Sequence, residues 1–426
     1  MRKKLLHFSK KVFTHELITG SFFVFVGTTA GSVANLILNL FLTRHFTPAD
    51  YGIYAAVASL IGLFAVPTQS ISSAIIRFAS TYLQQKDLLQ AKTLFAHATK
   101  VIVILGFLVM LFFTLLSGVI AKFFQLSNPL YVVIAGVTIA LGYFAIVTNG
   151  FLQSLLKFKF LSFLSASSSI VRLILGIILL IAGFHVTGVL LAGVIGSLVL
   201  LILSFLPLRF LFSTPSAKTV TIHVRDILIY GFFTSIALVS LSSFLSTDLI
   251  LVKHFFSPED AGSYAVLSLI GKIVFYITSP IATVVFPLLI NRYEKGEAVY
   301  RLLFLACGLV LLPSLFLVVL YSMYPQVIIH LLTGKQSYIS VSPYLSWYGL
   351  YIAFYSMVNV LVLFFLAIRK TVISYLVGFA AVSQIIGITL LHQNFAEVIT
   401  VGVSVIGLLC IFLLLFSLKT RKQLIA

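Results

Sequence analysis

The chain of 426 residues is 61% hydrophobic and only 9% charged, yet it carries a formal net charge of +18. Soluble globules are about a quarter charged, so a soluble fold is excluded. The basic residues are spread over seven short segments, which argues against nucleic acid as a partner because that surface needs one basic patch or stripe.

A membrane-spanning helix needs roughly 20 apolar residues, and the sequence supplies twelve such runs. In chain order the first six are Ile18–Thr43, Tyr51–Ile75, Val101–Ile120, Tyr131–Gln153, Phe160–Gly183 and Val186–Leu208. The second six are Ile227–Val252, Gly262–Leu289, Leu302–Tyr321, Pro343–Ile368, Val372–Leu391 and Ala396–Leu418. The first run is too long for a signal-peptide core and lacks a small-residue cleavage site, so it is expected to remain as a helix. Two cysteines, Cys307 and Cys410, fall inside runs and offer neither a disulfide framework nor a metal site. No metal or cofactor is expected.

Basic residues flanking spans stay on the cytoplasmic side. Here they gather at the amino terminus (Arg2, Lys3, Lys4, Lys10, Lys11), in every second gap, and in the tail (Lys419, Arg421, Lys422). The basic gaps hold Arg77, Lys86, Lys92 and Lys100, then Lys157 and Lys159, then Arg209, Lys218 and Arg225, then Arg292, Lys295 and Arg301, then Arg369 and Lys370. The intervening gaps hold only Arg44, Lys122, Lys253 and Lys335. Both termini are therefore expected in the cytoplasm, which requires an even number of spans.

The chain also repeats itself. PADYGIYA at Pro48–Ala55 answers PEDAGSYA at Pro258–Ala265. Arg44-His45-Phe46 answers Lys253-His254-Phe255, and Ser59-Leu60-Ile61-Gly62 answers Ser268-Leu269-Ile270-Gly271. Six spans separate the copies, so they share orientation, a parallel repeat with any substrate site expected between the halves. The expected organisation is a basic amino-terminal segment (1–17), an N-lobe of six helices (18–208), a linker (209–226), a C-lobe of six helices (227–418) and a basic tail (419–426). In each copy Pro presets a turn, Asp can cap the following helix, and Gly tolerates tight backbone.

LTRHFTPADYGIYA, then STDLILVKHFFSPEDAGSYAVLSLIG with SPIATVVFPLL behind it, resemble the polysaccharide flippase family. This family is a branch of the multidrug/oligosaccharidyl-lipid/polysaccharide exporter superfamily. The stretch from Val327 to Arg369, with LLTGKQSYISVSPYL and VLVLFFLAIRK, is similar to the family's ninth-to-tenth-helix region. The resemblance covers roughly residues 18–80 and 227–370. It implies an all-α polytopic membrane protein whose twelve transmembrane helices form two parallel-repeat six-helix lobes around a central cavity. Spans one, two, seven and eight would line most of that cavity. It also implies carriage of polyprenyl-diphosphate-linked sugars to the outer leaflet for O-antigen, capsule or a related polymer. The polysaccharide polymerase and export machinery would then be partners beside the membrane lipids. In one place the chain departs from the family. A Gln common late in the tenth helix is replaced by Phe364-Phe365, while the fourth span carries Gln153.

Charged residues in mid-span cost at least about 2.5–3.5 kcal/mol each on insertion scales and usually face a cavity or a partner. Arg172, behind Ser165, Ser167, Ser168 and Ser169, suits phosphate oxygens or bonds structurally to carbonyls or a neighbouring acid. Gln384, at a comparable depth in the eleventh span, leaves the second half without a matching cation. Asp248 lies five residues before Lys253, as Asn39 lies five before Arg44, so the same place in each repeat is polar. Asp248 reads either as a proton- or cation-responsive group or as half of a salt bridge to Lys253 or Lys272. Lys272, about ten residues into its span, reads as a cavity cation for phosphate or as an internal ion-pair partner. Pro67, followed by Thr68, Gln69 and Ser70, and Pro280 free backbone carbonyls and kink their helices, for gating or for packing alone. Tyr344, Tyr348, Tyr351 and Tyr355 share one face of the tenth span beside Trp347, as a platform for stacking sugars or as an interfacial aromatic belt.

Three functions compete. A flippase for a lipid-linked oligosaccharide needs cations for the diphosphate and hydrogen-bonding groups for the sugars. A cation-coupled multidrug antiporter of the same superfamily tends to hold acids deep in a lobe, and the first half here has no mid-span Asp or Glu. A membrane glycosyltransferase, polymerase or ligase wants carboxylates or a His near an extramembrane surface. The longest external gap, Ser322–Ser342, has no Asp or Glu, which argues against an enzyme.

Overall fold

The computed structural model describes residues 26–27, 29–85, 87–213, 224–294, 299–368 and 370–425. The basic segment 1–17 and most of the linker 209–226 lie outside them. The described chain is helical, with no strand. Helix α1 (29–45) is followed by α2 (Pro48–Ala65), α3 (Pro67–Gln84), α4 (Leu88–Leu115), α5 (Ser117–Phe123), α6 (Leu130–Ser154), α7 (Phe158–Leu179), α8 (His185–Phe205) and α9 (Phe210–Ser213). Then come α10 (Val224–Phe255), α11 (Pro258–Gly271), α12 (Ile273–Glu294), α13 (Tyr300–Met323), α14 (Pro325–Thr333), α15 (Leu345–Ala367), α16 (Ile373–Leu390) and α17 (Phe395–Ile425).

Ten helical stretches among the described residues are long and apolar enough to cross a membrane. One of them, Phe158–Leu208, contains both α7 and α8, joined where Gly183 takes φ +89°. It therefore accounts for two of the expected spans, and the first expected span is described only from residue 26 onward. Large apolar side chains stand on the outside of these helices, Leu312 at 70% and Phe379 at 72% exposure among them. A surface of that kind in water would be an aggregation liability; against lipid tails it is matched by its solvent. The chain is a multi-pass membrane protein.

By contact the chain divides into two compact units. Unit 1 comprises Met1–Leu38, Thr68–Ser117 and Leu130–Ile227, and unit 2 comprises Asn39–Pro67, Gly118–Pro129 and Leu228–Ala426. In unit 1, α4 and α8 pack on α6, and α7 packs on α8. Small residues let backbones close up in the absence of a hydrophobic driving force. A Cβ on Gly27 would lie 2.6 Å from Ser162, and one on Gly31 would lie 3.0 Å from Ser169 Oγ, so α1 and the residues just before it sit directly on α7. In unit 2, α15 packs against α12, α13 and α17, and α2 packs along α11.

The repeated turn is built the same way twice. Thr47 and Ser257 accept the backbone N–H of Asp50 (3.1 Å) and Asp260 (3.2 Å), and each hydroxyl donates to that Asp's Oδ2 at 2.7 Å. Pro48 and Pro258 occupy the first helical position, where a missing N–H costs nothing. The capping residue is thus the hydroxyl, and the Asp expected as the cap stands three residues later, as the acidic member of a capping box does. The repeated glycines face each other. A Cβ on Gly262 would fall 1.7 Å from the Pro48 carbonyl oxygen, and one on Gly52 would fall 2.9 Å from the Gly262 nitrogen. The motif recurs because two copies of one helix start cross here at backbone contact.

The second span is interrupted at Val66, so Pro67 opens α3 where the chain passes from unit 2 to unit 1. The eighth span behaves differently. Its interruption falls at Lys272 (ψ −10°), and α12 runs unbroken through Pro280.

Candidate functional site

Unit 2 encloses a polar cluster around Asp248 on α10, whose carboxyl is 2% exposed. Asp248 Oδ2 accepts the Tyr348 hydroxyl at 2.7 Å and the Tyr264 hydroxyl at 3.1 Å. Tyr348 also shares a 2.8 Å hydrogen bond with Ser268. A turn further along α15, Tyr351 donates to the Phe244 carbonyl and accepts Gln384 Nε2 at 2.9 Å. Three helices thus meet α15 through hydroxyls and amides where lipid could offer no hydrogen bond.

This cluster corrects two sequence expectations. Asp248 has no ion pair with Lys253 or Lys272 among the described residues; tyrosine hydroxyls serve its Oδ2, and Oδ1 has no hydrogen-bond partner. The tyrosine stripe is not an external sugar platform. Tyr348, Tyr351 and Tyr355 are at most 3% exposed. Their rings meet protein edge-on, Tyr348 against Tyr264 and Tyr351, and Tyr355 against Phe275. Tyr344 packs edge-on against Phe395, and Trp347, at 41% exposure, donates to Thr400. Phe364 and Phe365, where the family's Gln is missing, are fully enclosed.

Two more residues of the repeat, Asn39 and Arg44, bond to other helices. Asn39 accepts the Tyr51 hydroxyl at 3.2 Å, an uncharged counterpart of the bond from Tyr264 to Asp248. Arg44 donates from Nη2 to Leu331 O (3.0 Å) and from Nε to Leu332 O (3.3 Å), capping the end of α14 just before Gly334 turns left-handed at φ +68°. A cation is favoured at exposed helix carbonyls, so Arg44 serves the helix end. Lys335 reaches back to the Phe46 carbonyl. Burial lowers the Lys335 pKa from its ordinary value, with Asp50 opposing the shift. Lys253, 1% exposed in the last turn of α10, has no hydrogen-bond partner for Nζ among the described residues. Lys272 is half-buried at the interruption between α11 and α12.

Arg172 belongs to unit 1. It stands on α7, half-buried, over two glycines of α8: its Nε lies 3.9 Å from where a Gly193 Cβ would be, and its Cβ 3.4 Å from that of Gly196. Ser168 Oγ bonds to Gly196 O at 2.9 Å in the same crossing. The small residues clear a lane for a guanidinium. The side chains of Pro67 and Gln69 lie outside the described residues. Chain position alone did not single out Asn149 and Ser162, which with Gln153 and Ser165 line a cavity of about 280 Å³ in the same unit. Their signal is an amide pair four apart on α6 opposite a serine pair three apart on α7.

Helices of this number and repeat, with charged groups buried between them, define a secondary-transporter architecture. The fold is that of MATE transporters. An inward-facing multidrug resistance MATE family transporter of the MOP superfamily superposes with a TM-score of 0.73 at 14% identity, over 92% of this chain and 94% of the other. An outward-facing one gives 0.64 at 16% identity, over 96% of both chains. A eukaryotic MATE transporter gives 0.66 at 13%, over 96% and 98%. At these identities the likeness is one of fold. No curated protein matches the sequence. The family described as polysaccharide biosynthesis protein matches residues 17–291, and the chain belongs to that family.

Proposed function

We propose that this protein is a flippase. It carries a polyprenyl-diphosphate-linked oligosaccharide, the repeat unit of an O-antigen, capsule or related polymer, from the inner to the outer leaflet of the bacterial or archaeal cytoplasmic membrane. One observation carries the reading: a polysaccharide-biosynthesis family chain has a transporter's fold. A transporter in such a pathway serves its membrane-bound intermediate, whose polar head cannot cross hydrocarbon unaided. The chemistry of unit 1 suits that head. Arg172 presents a planar, permanently charged fork of the kind that binds phosphate oxygens, on a helix lined with serines. Lys272, at a helix interruption in unit 2, is the second candidate cation. Transport proceeds by alternating access, both termini lie in the cytoplasm, and the polymerase and export machinery receive the product.

Replacing Arg172 or Lys272 by Ala in a deletion strain should abolish polymer export with membrane expression intact. Wild-type export in both variants rejects the cation assignment. The second reading, a cation-coupled multidrug antiporter, draws on the buried Asp248 and on the MATE fold. A deletion that changes drug sensitivity and leaves polymer export untouched would favour it.

A further inference from the structure

The cavity in unit 1 has a chemistry unlike that of the cations. Among the described residues it is lined by Asn149 and Gln153 of α6, Phe158, Leu161, Ser162, Leu164 and Ser165 of α7, and Leu200 of α8, none of them charged. Asn149 and Gln153 are four residues apart and therefore share a helix face. Neither side-chain amide hydrogen-bonds to another described residue. Ser162 spends its proton on the Phe158 carbonyl (2.9 Å), which leaves its oxygen free to accept. Ser165 keeps its hydroxyl unspent among the described residues. Two amides supply donors and acceptors together, two hydroxyls add more, and a phenyl ring forms part of the wall. Groups of this kind inside a membrane protein are costly unless something satisfies them. A lipid tail would leave the two amides and the Ser165 hydroxyl unpaired, and a phosphate would find no cation among the described residues of the wall.

We infer that this cavity is a binding subsite for an uncharged, polyhydroxylated group, a sugar residue of the transported lipid. The inference rests on the flippase reading and deepens it by dividing the labour. Ser165 and Arg172 are seven residues apart, two turns on one face of α7, roughly 10 Å at the helical rise. The neutral subsite and the guanidinium therefore lie along the same face, one suited to hydroxyls and the other to the diphosphate.

The test uses the full chain in lipid nanodiscs and two probes: a polyprenyl diphosphate bearing a short oligosaccharide, extracted from the strain that makes the polymer, and the same polyprenyl diphosphate without sugar. The variants are Asn149→Leu with Gln153→Met, which keep the volume and remove the amides, and separately Ser165→Ala, a one-atom change that serves if the double variant does not fold. The wild type should bind the sugar-bearing probe more tightly. The double variant should lose about tenfold or more of that affinity, and Ser165→Ala a few-fold, from hydrogen bonds of ordinary strength. Binding of the bare diphosphate should not move. Equal loss for both probes, or no loss for either, overturns the subsite. Wild-type protein that binds both probes equally overturns it too, while leaving the lipid-diphosphate reading in place. Wild-type protein that binds neither overturns that reading as well.

Discussion

Replacing Tyr348 by Phe deletes one hydroxyl and nothing else. The ring is fully enclosed, so Phe fills the same volume, and the change isolates the bonds to Asp248 and Ser268. A hydrogen bond to a charged group contributes about 1.5–3 kcal/mol and a neutral one about 0.5–1.5, while interhelical bonds in membranes average nearer 0.6. Tyr264 still donates to the same oxygen at 3.1 Å, so the loss is partial. We expect about 1–2 kcal/mol, or roughly 2–8 °C at 2–4 °C per kcal/mol for a unit of this size. Cys307 and Cys410 supply the readout. Both are buried and free in unit 2, so a thiol-reactive fluorophore reports when the unit opens. In an Asp248→Asn background the Tyr348→Phe effect should shrink to that of a neutral pair. A Tyr348→Phe protein that melts with the wild type, or an effect undiminished beside Asp248→Asn, refutes the view that the hydroxyl serves the carboxyl.

Gly262→Ala should cost about 1–3 kcal/mol by overpacking, since its Cβ would strike the Pro48 carbonyl. Gly62→Ala, whose Cβ meets nothing within 4 Å, should be neutral or stabilising in the same melt. Arg44→Gln should speed hydrogen exchange in the last turn of α14 and cost about 1 kcal/mol as a lost cap, while exchange in α16 stays unchanged. Arg172→Lys should restore only part of the export lost in Arg172→Ala, because an ammonium cannot make the bidentate fork; full restoration would mean that charge alone matters there.

The sequence by itself determined what the bilayer dictates. A run of twenty apolar residues has one structural outcome in lipid, so the twelve runs and the helical class followed from composition and length. The pairing of PADYGIYA with PEDAGSYA located two equivalent helix starts, and the mid-span acid Asp248 lies at the centre of the polar cluster of unit 2. Tertiary structure alone decided which face of each helix meets protein. In water an apolar stripe marks the core; in a membrane lipid and protein are equally apolar, so periodicity cannot tell Tyr348 inside unit 2 from a ring at the interface. The same ambiguity hid why the repeated glycine recurs, because its partner, Pro48, lies two hundred residues away. Arg44 at the end of α14 follows the same rule: a polar group's role is set by the neighbour that satisfies it, and that neighbour comes from another part of the chain.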